Sequence, residues 1–167
     1  MIAAVSPLAT VGISAGVAAA VSLVTLWISG VRHERARRRE LYAAALAATM
    51  TYREFPYTIV RRRPEKEHRS AERVRISEAL REVQANIAQH QALLRVERSD
   101  GVARAYDELV GKTREIAGGY MKNAWEGPAA DSDCDMNRRV PLAYGILDTY
   151  VDAYLTEVKK ALSWRSR

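Results

Sequence analysis

Apolar positions along the chain follow two regimes. From Leu8 to Ile28 the sequence reads LATVGISAGVAAAVSLVTLWI, an apolar run relieved only by Ser and Thr. Its 21 residues, rising about 1.5 Å each as a helix, span about 31 Å, close to the hydrocarbon thickness of a bilayer. Ser6-Pro7 supplies an N-cap and first-turn pair, because proline's missing N–H costs nothing there. Trp27 falls near the far end, where an indole favours the headgroup boundary. A buried core helix would show a polar face. The pattern instead predicts a transmembrane helix.

Beyond Glu40 the apolar residues recur at steps of three and four, the period of a helix seam. The first seam is Leu41, Ala45, Ala48, Tyr52 and Phe55, running to about Pro56. The second is Ile76, Leu80, Val83, Ile87, His90 and Leu94, after which Ser99-Asp100-Gly101 ends one helix and offers a cap for the next. Val102, Tyr106, Leu109, Thr113, Ile116 and Tyr120 form the third, whose last turn Gly118-Gly119 is expected to weaken. A breaker-rich stretch, EGPAADSDCDMN, reads as the longest loop. The fourth seam follows Pro141 and holds Leu147, Val151, Tyr154, Val158 and Leu162.

The expected fold is therefore all-α: an N-terminal single transmembrane helix followed by an antiparallel cytoplasmic helical bundle of about four helices, with coiled-coil-like spacing. Residues 1–30 form the anchor (span 8–28), 31–40 a basic juxtamembrane segment, and 41–167 the cytoplasmic bundle. Sparse glycine and the scarcity of alternating β-branched residues exclude a sandwich or barrel.

Charge sharpens the first boundary. Residues 1–30 contain no Asp, Glu, Lys, Arg or His, whereas VRHERARRRE, residues 31–40, carries Arg32, Arg35, Arg37, Arg38 and Arg39 against Glu34 and Glu40. Arginines flanking a span stay on the cytoplasmic side, which places the N-terminus outside, the bundle inside, and the chain in a cell inner membrane. A cleaved signal peptide competes, since Ala18-Ala19-Ala20 suits a small-residue cleavage site. It is opposed by the lack of Lys or Arg before the run and by the run's continuation past the alanines.

Within the span, Gly12 and Gly16 form a GxxxG motif continued by Ala19, Ala20 and Leu23. Small residues at that spacing let two helix backbones approach closely, although such matches also arise by chance in apolar spans. In the bundle, an up-and-down order would bring Arg95, Arg98, Lys159, Lys160, Trp164, Arg165 and Arg167 to the end near the bilayer. A tryptophan among cations suits an anionic headgroup surface, and basic residues at helix ends equally complement the helix dipole. At the other end Arg61-Arg62-Arg63 would meet the loop carrying Asp131, Asp133 and Asp135.

No arrangement of residues specifies a reaction. Asp131, Asp133 and Asp135 start like a calcium loop, but Met136 and Leu142 occupy the places that need Gly and Glu. Gly111-Lys112-Thr113 ends like a phosphate-binding loop, yet Tyr106 stands where the first Gly belongs, within a helix. His33, His68 and His90 are scattered, and His90 on a seam is expected to be a hydrogen-bonded core histidine. Cys134 is the only cysteine, which excludes an internal disulfide, and its acidic neighbours raise rather than lower a thiol pKa. Neither metal, cofactor nor catalytic residues are expected.

The chain has eight tyrosines and one phenylalanine. Tyr106, Tyr120 and Tyr154 belong to the seams, while Tyr144 and Tyr150 are the best candidates for an exposed partner surface. A pI near 9.7 invites nucleic acid, but the juxtamembrane cluster explains half of the excess charge and no recognition module is visible. The leading expectation is a non-enzymatic, single-pass membrane protein whose bundle binds another membrane-associated protein or assembles with itself. The alternative is an oligomerising effector that permeabilises the bilayer, of the phage-lysis or defence kind. Twenty-one arginines against five lysines, with abundant alanine, suit a GC-rich bacterial or phage genome.

Overall fold

The computed structural model describes residues 7–97, 99–130, 132, 135 and 145–163, with side chains from residue 29 onward apart from that of Lys66. Among the described residues there are helices and no strands. They are α1 (Pro7–Arg53), α2 (Phe55–Val60), a 3₁₀ turn (Lys66–His68), α3 (Arg69–Val96), α4 (Asp100–Glu126) and α5 (Gly145–Leu162). The fold is all-α. Two compact units divide between Glu40 and Leu41.

In the first unit the described side chains are those of residues 29–40, most of them in the basic stretch. Glu34 accepts hydrogen bonds from Arg37, at 3.0 and 3.1 Å, and from Arg38, at 3.0 Å. These bonds, Arg37's first, hold its carboxyl down to about 2. Among the described residues no helix is long and apolar enough to cross a membrane. The run Leu8–Ile28 is helical as backbone within α1, and its side chains lie outside the description.

The second unit is a bundle built around α4. That helix buries Val102, Ala103, Tyr106, Leu109, Val110, Thr113, Ala117, Met121 and Ala124. Val102, Tyr106, Leu109 and Thr113 are the first four positions of the third seam; its last two, Ile116 and Tyr120, are only half-buried, and the neighbouring Ala117, Met121 and Ala124 take the interior instead. The seam of α1 lies where its period puts it, with Ala45, Ala48 and Tyr52 buried, and Tyr42 and Thr49 are buried beside it. Tyr106 donates to the Ala45 carbonyl at 2.9 Å and accepts from Thr49 at 3.1 Å, joining α1 to α4. Nearer the start of the bundle, Tyr42 of α1 donates to Glu97 at 2.8 Å. Asp107 on α4 accepts from Gln91 at 2.6 Å and Arg95 at 2.9 Å, closing the α3–α4 turn. Glu157 of α5 lies against Gly101 of α4. These links make consecutive long helices antiparallel.

Three local expectations need correction. Pro56 does not simply stop the first helix: α1 ends at Arg53, and the chain re-enters a short helix with Pro56 in its first turn, where a missing N–H is harmless. Gly118-Gly119 does not unravel α4, which runs on to Glu126 because Ala117, Met121 and Ala124 bury the face around the glycines. The α4 N-cap is Ser99 as the breaker pattern suggested, but its side chain makes no capping bond.

Candidate functional site

The end of the bundle where α2 and α4 terminate holds the most developed polar arrangement. After Val60, three arginines and Pro64 leave no apolar residue to bury, so the helix stops and the chain turns toward α3. Gly127-Pro128 ends α4 in the same region, and the Ala130 N–H donates to the Val60 carbonyl at 2.8 Å. Two helix C-termini thus converge, each with carbonyls lacking an intrahelical donor.

Arg62 answers them. Its Nη1 donates to the carbonyls of Ile59 and Ala124, both at 2.9 Å, and its Nη2 donates to that of Gly127 at 2.7 Å. Its guanidinium lies over the Trp125 ring, 5.3 Å from the centroid. The planar fork suits several fixed acceptors, and the cation complements the negative end of a helix dipole. Burial lowers its pKa from the ordinary arginine value, and the charge of Arg69 lowers it further.

Around this pin opens a concavity of about 550 Å³ lined by Arg62, Arg69, Arg73, Ser77, Trp125, Glu126 and Gly127. Arg69, Arg73 and Ser77 are spaced four apart on α3 and therefore share one face. At the opposite end, a groove of about 440 Å³ between α4 and α5 is bordered by Gly101, Arg104, Glu108 and Glu157. Its lining carries one arginine against two glutamates.

The three arginines expected to meet the acidic loop have these contacts among the described residues. Arg62 is bound to backbone carbonyls, Arg63 lies 3.6 Å from buried Glu72, and Arg61 stacks on Tyr57 at 5.8 Å. Asp131 and Asp133 lie outside the described residues. Asp135 accepts from the Ser132 hydroxyl at 2.8 Å. Glu72 also takes a fork from Arg75, whose bonds come first in lowering its carboxyl pKa.

The remaining site candidates are dispersed. Gly12, Gly16, Ala19, Ala20, Leu23 and Trp27 fall within α1, with side chains outside the description, and Trp164, Tyr144 and Cys134 lie outside the described residues. Arg32, Arg37 and Arg39 are exposed, while Arg35 and Arg38 are half-buried. Tyr150 is half-buried against the core rather than standing exposed, because it neighbours the α5 seam. His90 is half-buried, but its Nδ1 has no hydrogen-bond partner, contrary to expectation. Among the described residues no group of His, Cys, Asp or Glu is placed to hold a metal ion.

What sequence reasoning missed is the role of Arg62 and the concavity beside it. The fourfold spacing of Arg69, Arg73 and Ser77 was visible, but nothing local announced that the end of α4 would lie beside them. No family model matches the chain, and no curated protein or solved structure shows significant similarity to it.

Proposed function

We propose that the chain is a single-pass inner-membrane protein, anchored through residues 8–28 with its N-terminus outside, whose cytoplasmic bundle binds another membrane-associated protein or a second copy of itself. The carrying observation is a charge boundary in the sequence: residues 1–30 hold no formal charge, and residues 31–40 hold five arginines. An uncharged helix over residues 8–28 suits the hydrocarbon layer, and arginines beyond its end suit the cytoplasmic headgroups. Glu34 is tied to Arg37 and Arg38, so the segment keeps a positive balance.

The bundle's own surface supports the reading. The chain enters it at Leu41, and the same end carries Val96, 85% exposed, with Leu93, Arg95, Lys159 and Lys160. Apolar and basic residues side by side suit a headgroup surface or an apolar partner held near one. The Gly12/Gly16 face is the assigned surface for self-association.

The test is expression of the full chain in bacteria beside a Gly12→Leu/Gly16→Leu variant. We expect both in carbonate-washed membranes, a C-terminal fluorescent fusion that lights up in the cytoplasm, and a cross-linked dimer from the parent that the variant lacks. Recovery of the chain in the soluble fraction would defeat the anchor. A collapse of membrane potential on induction, read with a voltage-sensitive dye, would replace the interaction module with a permeabilising effector.

A further inference from the structure

The concavity at the α2/α4 end has an excess of positive charge that the fold does not use. Arg62 is committed to three carbonyls and to the Trp125 ring. Arg69 and Arg73 differ from it: both are exposed, and neither has an ionic or hydrogen-bonding partner among the described residues. Arg73 has Arg69, Ser70, Ile76 and Ser77 at its three- and four-residue helix neighbours, so its own helix supplies no acid. Like charges four apart on a helix destabilise it, and Arg69 also acts unfavourably on Arg62. Arginines gathered around a concavity without acidic partners suit an anion.

We propose that this concavity binds the phosphate dianion of a small molecule, either a phosphate monoester or free phosphate. Three guanidinium groups confront a single carboxylate, that of Glu126, so a dianion balances the lining. Arg69 and Arg73 stand one turn apart, about 6 Å along the axis, which lets two guanidinium forks bracket one phosphate. The Ser77 hydroxyl is one turn further on the same face, and Trp125 supplies an apolar wall against which the organic part of a monoester rests. The volume of about 550 Å³ falls within the range of about 300–1,000 Å³ typical of small-molecule sites.

The test uses the full chain in a non-ionic, phosphate-free detergent, with Trp27→Phe and Trp164→Phe leaving Trp125 as the sole indole. Indole fluorescence is titrated with inorganic phosphate and with phenyl phosphate at constant ionic strength. Saturable change is expected with at least one, tighter for phenyl phosphate if the monoester is the source and equal if free phosphate is. Binding should weaken tenfold or more in Arg69→Gln and in Arg73→Gln, and weaken as the pH falls below the second phosphate pKa, about 6 for a monoester. Both positions are exposed, and an unchanged melting midpoint verifies that the variants fold. Arg104→Gln, at the other end of the bundle, should bind like the parent. The proposal is overturned by a response that grows linearly, that chloride reproduces, that survives both α3 substitutions, or that Arg104→Gln weakens equally.

Discussion

The hydroxyl of Tyr154 donates to the backbone carbonyl of Tyr42 across 2.8 Å, between two fully buried residues 112 positions apart. Through this bond the last described helix holds the segment of α1 that opens the bundle. The Tyr154 ring also packs against that of Tyr106, centroids 5.6 Å apart and tilted by 50°. Burial pushes the Tyr154 phenol well above the usual tyrosine value, so it remains a donor throughout the physiological range. Tyr154→Phe should cost about 1 kcal/mol, the usual net value of one hydrogen bond. Tyr154→Ala, which empties a core site, should cost about 3–5 kcal/mol. Urea denaturation of the full chain in detergent measures both. Equal stability of Tyr154→Phe and the parent would show that the hydroxyl contributes nothing.

Arg62 is predicted to matter as a fork rather than as a charge. Arg62→Lys keeps the cation but offers no planar pair of donors for the Ala124 and Gly127 carbonyls. It should lose about 1–2 kcal/mol, and Arg62→Ala about 2–3 kcal/mol, as hydrogen bonds from charged groups are removed. If lysine restored full stability, electrostatic capping alone would explain the residue. Proteolysis near Gly127 provides a second readout, because the Ala130–Val60 bond is held in the same place.

The helices themselves were legible because their apolar seams are long and regular. Ile76, Ile87 and Leu94 on α3, and Leu147 and Tyr154 on α5, are all buried as the spacing predicts. Tyr42 and Thr49 were not legible. They belong to a second row on α1 that becomes interior only when α5 and α4 close over it, where the Thr49 hydroxyl finds the Ala45 carbonyl of its own helix and the Tyr106 hydroxyl of α4. The same limit hid the concavity. Arg69 and Arg73 follow a visible spacing, yet Trp125 and Glu126 join them only through the length of α4. Local pattern also misjudged Gly118-Gly119, since the packing of Ala117 and Met121 outweighs the weak helix propensity of two glycines.

Gly119 is exposed and helical, and a Cβ added there meets nothing within 4 Å. Gly119→Ala should therefore stabilise the bundle by about 0.5–1 kcal/mol, as alanine loses less backbone entropy in a helix. Gly101→Ala is the contrast: its methyl would collide with the Glu157 carboxylate, a flexible end that can swing aside. Displacing that contact offsets the propensity gain, so little net change is expected. Thermal midpoints of the two variants decide the matter, and destabilisation by Gly119→Ala would point to an unrecognised close approach at that face.

His90 gives the bundle a pH dependence of definite sign. Its Nδ1 is buried without a partner, and burial lowers its pKa below the ordinary histidine value. The folded state then favours neutral imidazole, while the unfolded chain takes up a proton at higher pH. The stabilising difference is fully present above the unfolded value, about 6.5, and is lost as the pH falls toward the lower folded value. Between about pH 7.5 and about pH 5.5, across the titration range of histidine, the parent should lose more stability than His90→Leu does. Comparing the two chains removes the carboxylates and the other histidines, which both contain. Parallel stability profiles would mean that His90 is hydrated enough to titrate alike in both states, and that its unpartnered nitrogen carries no penalty on protonation.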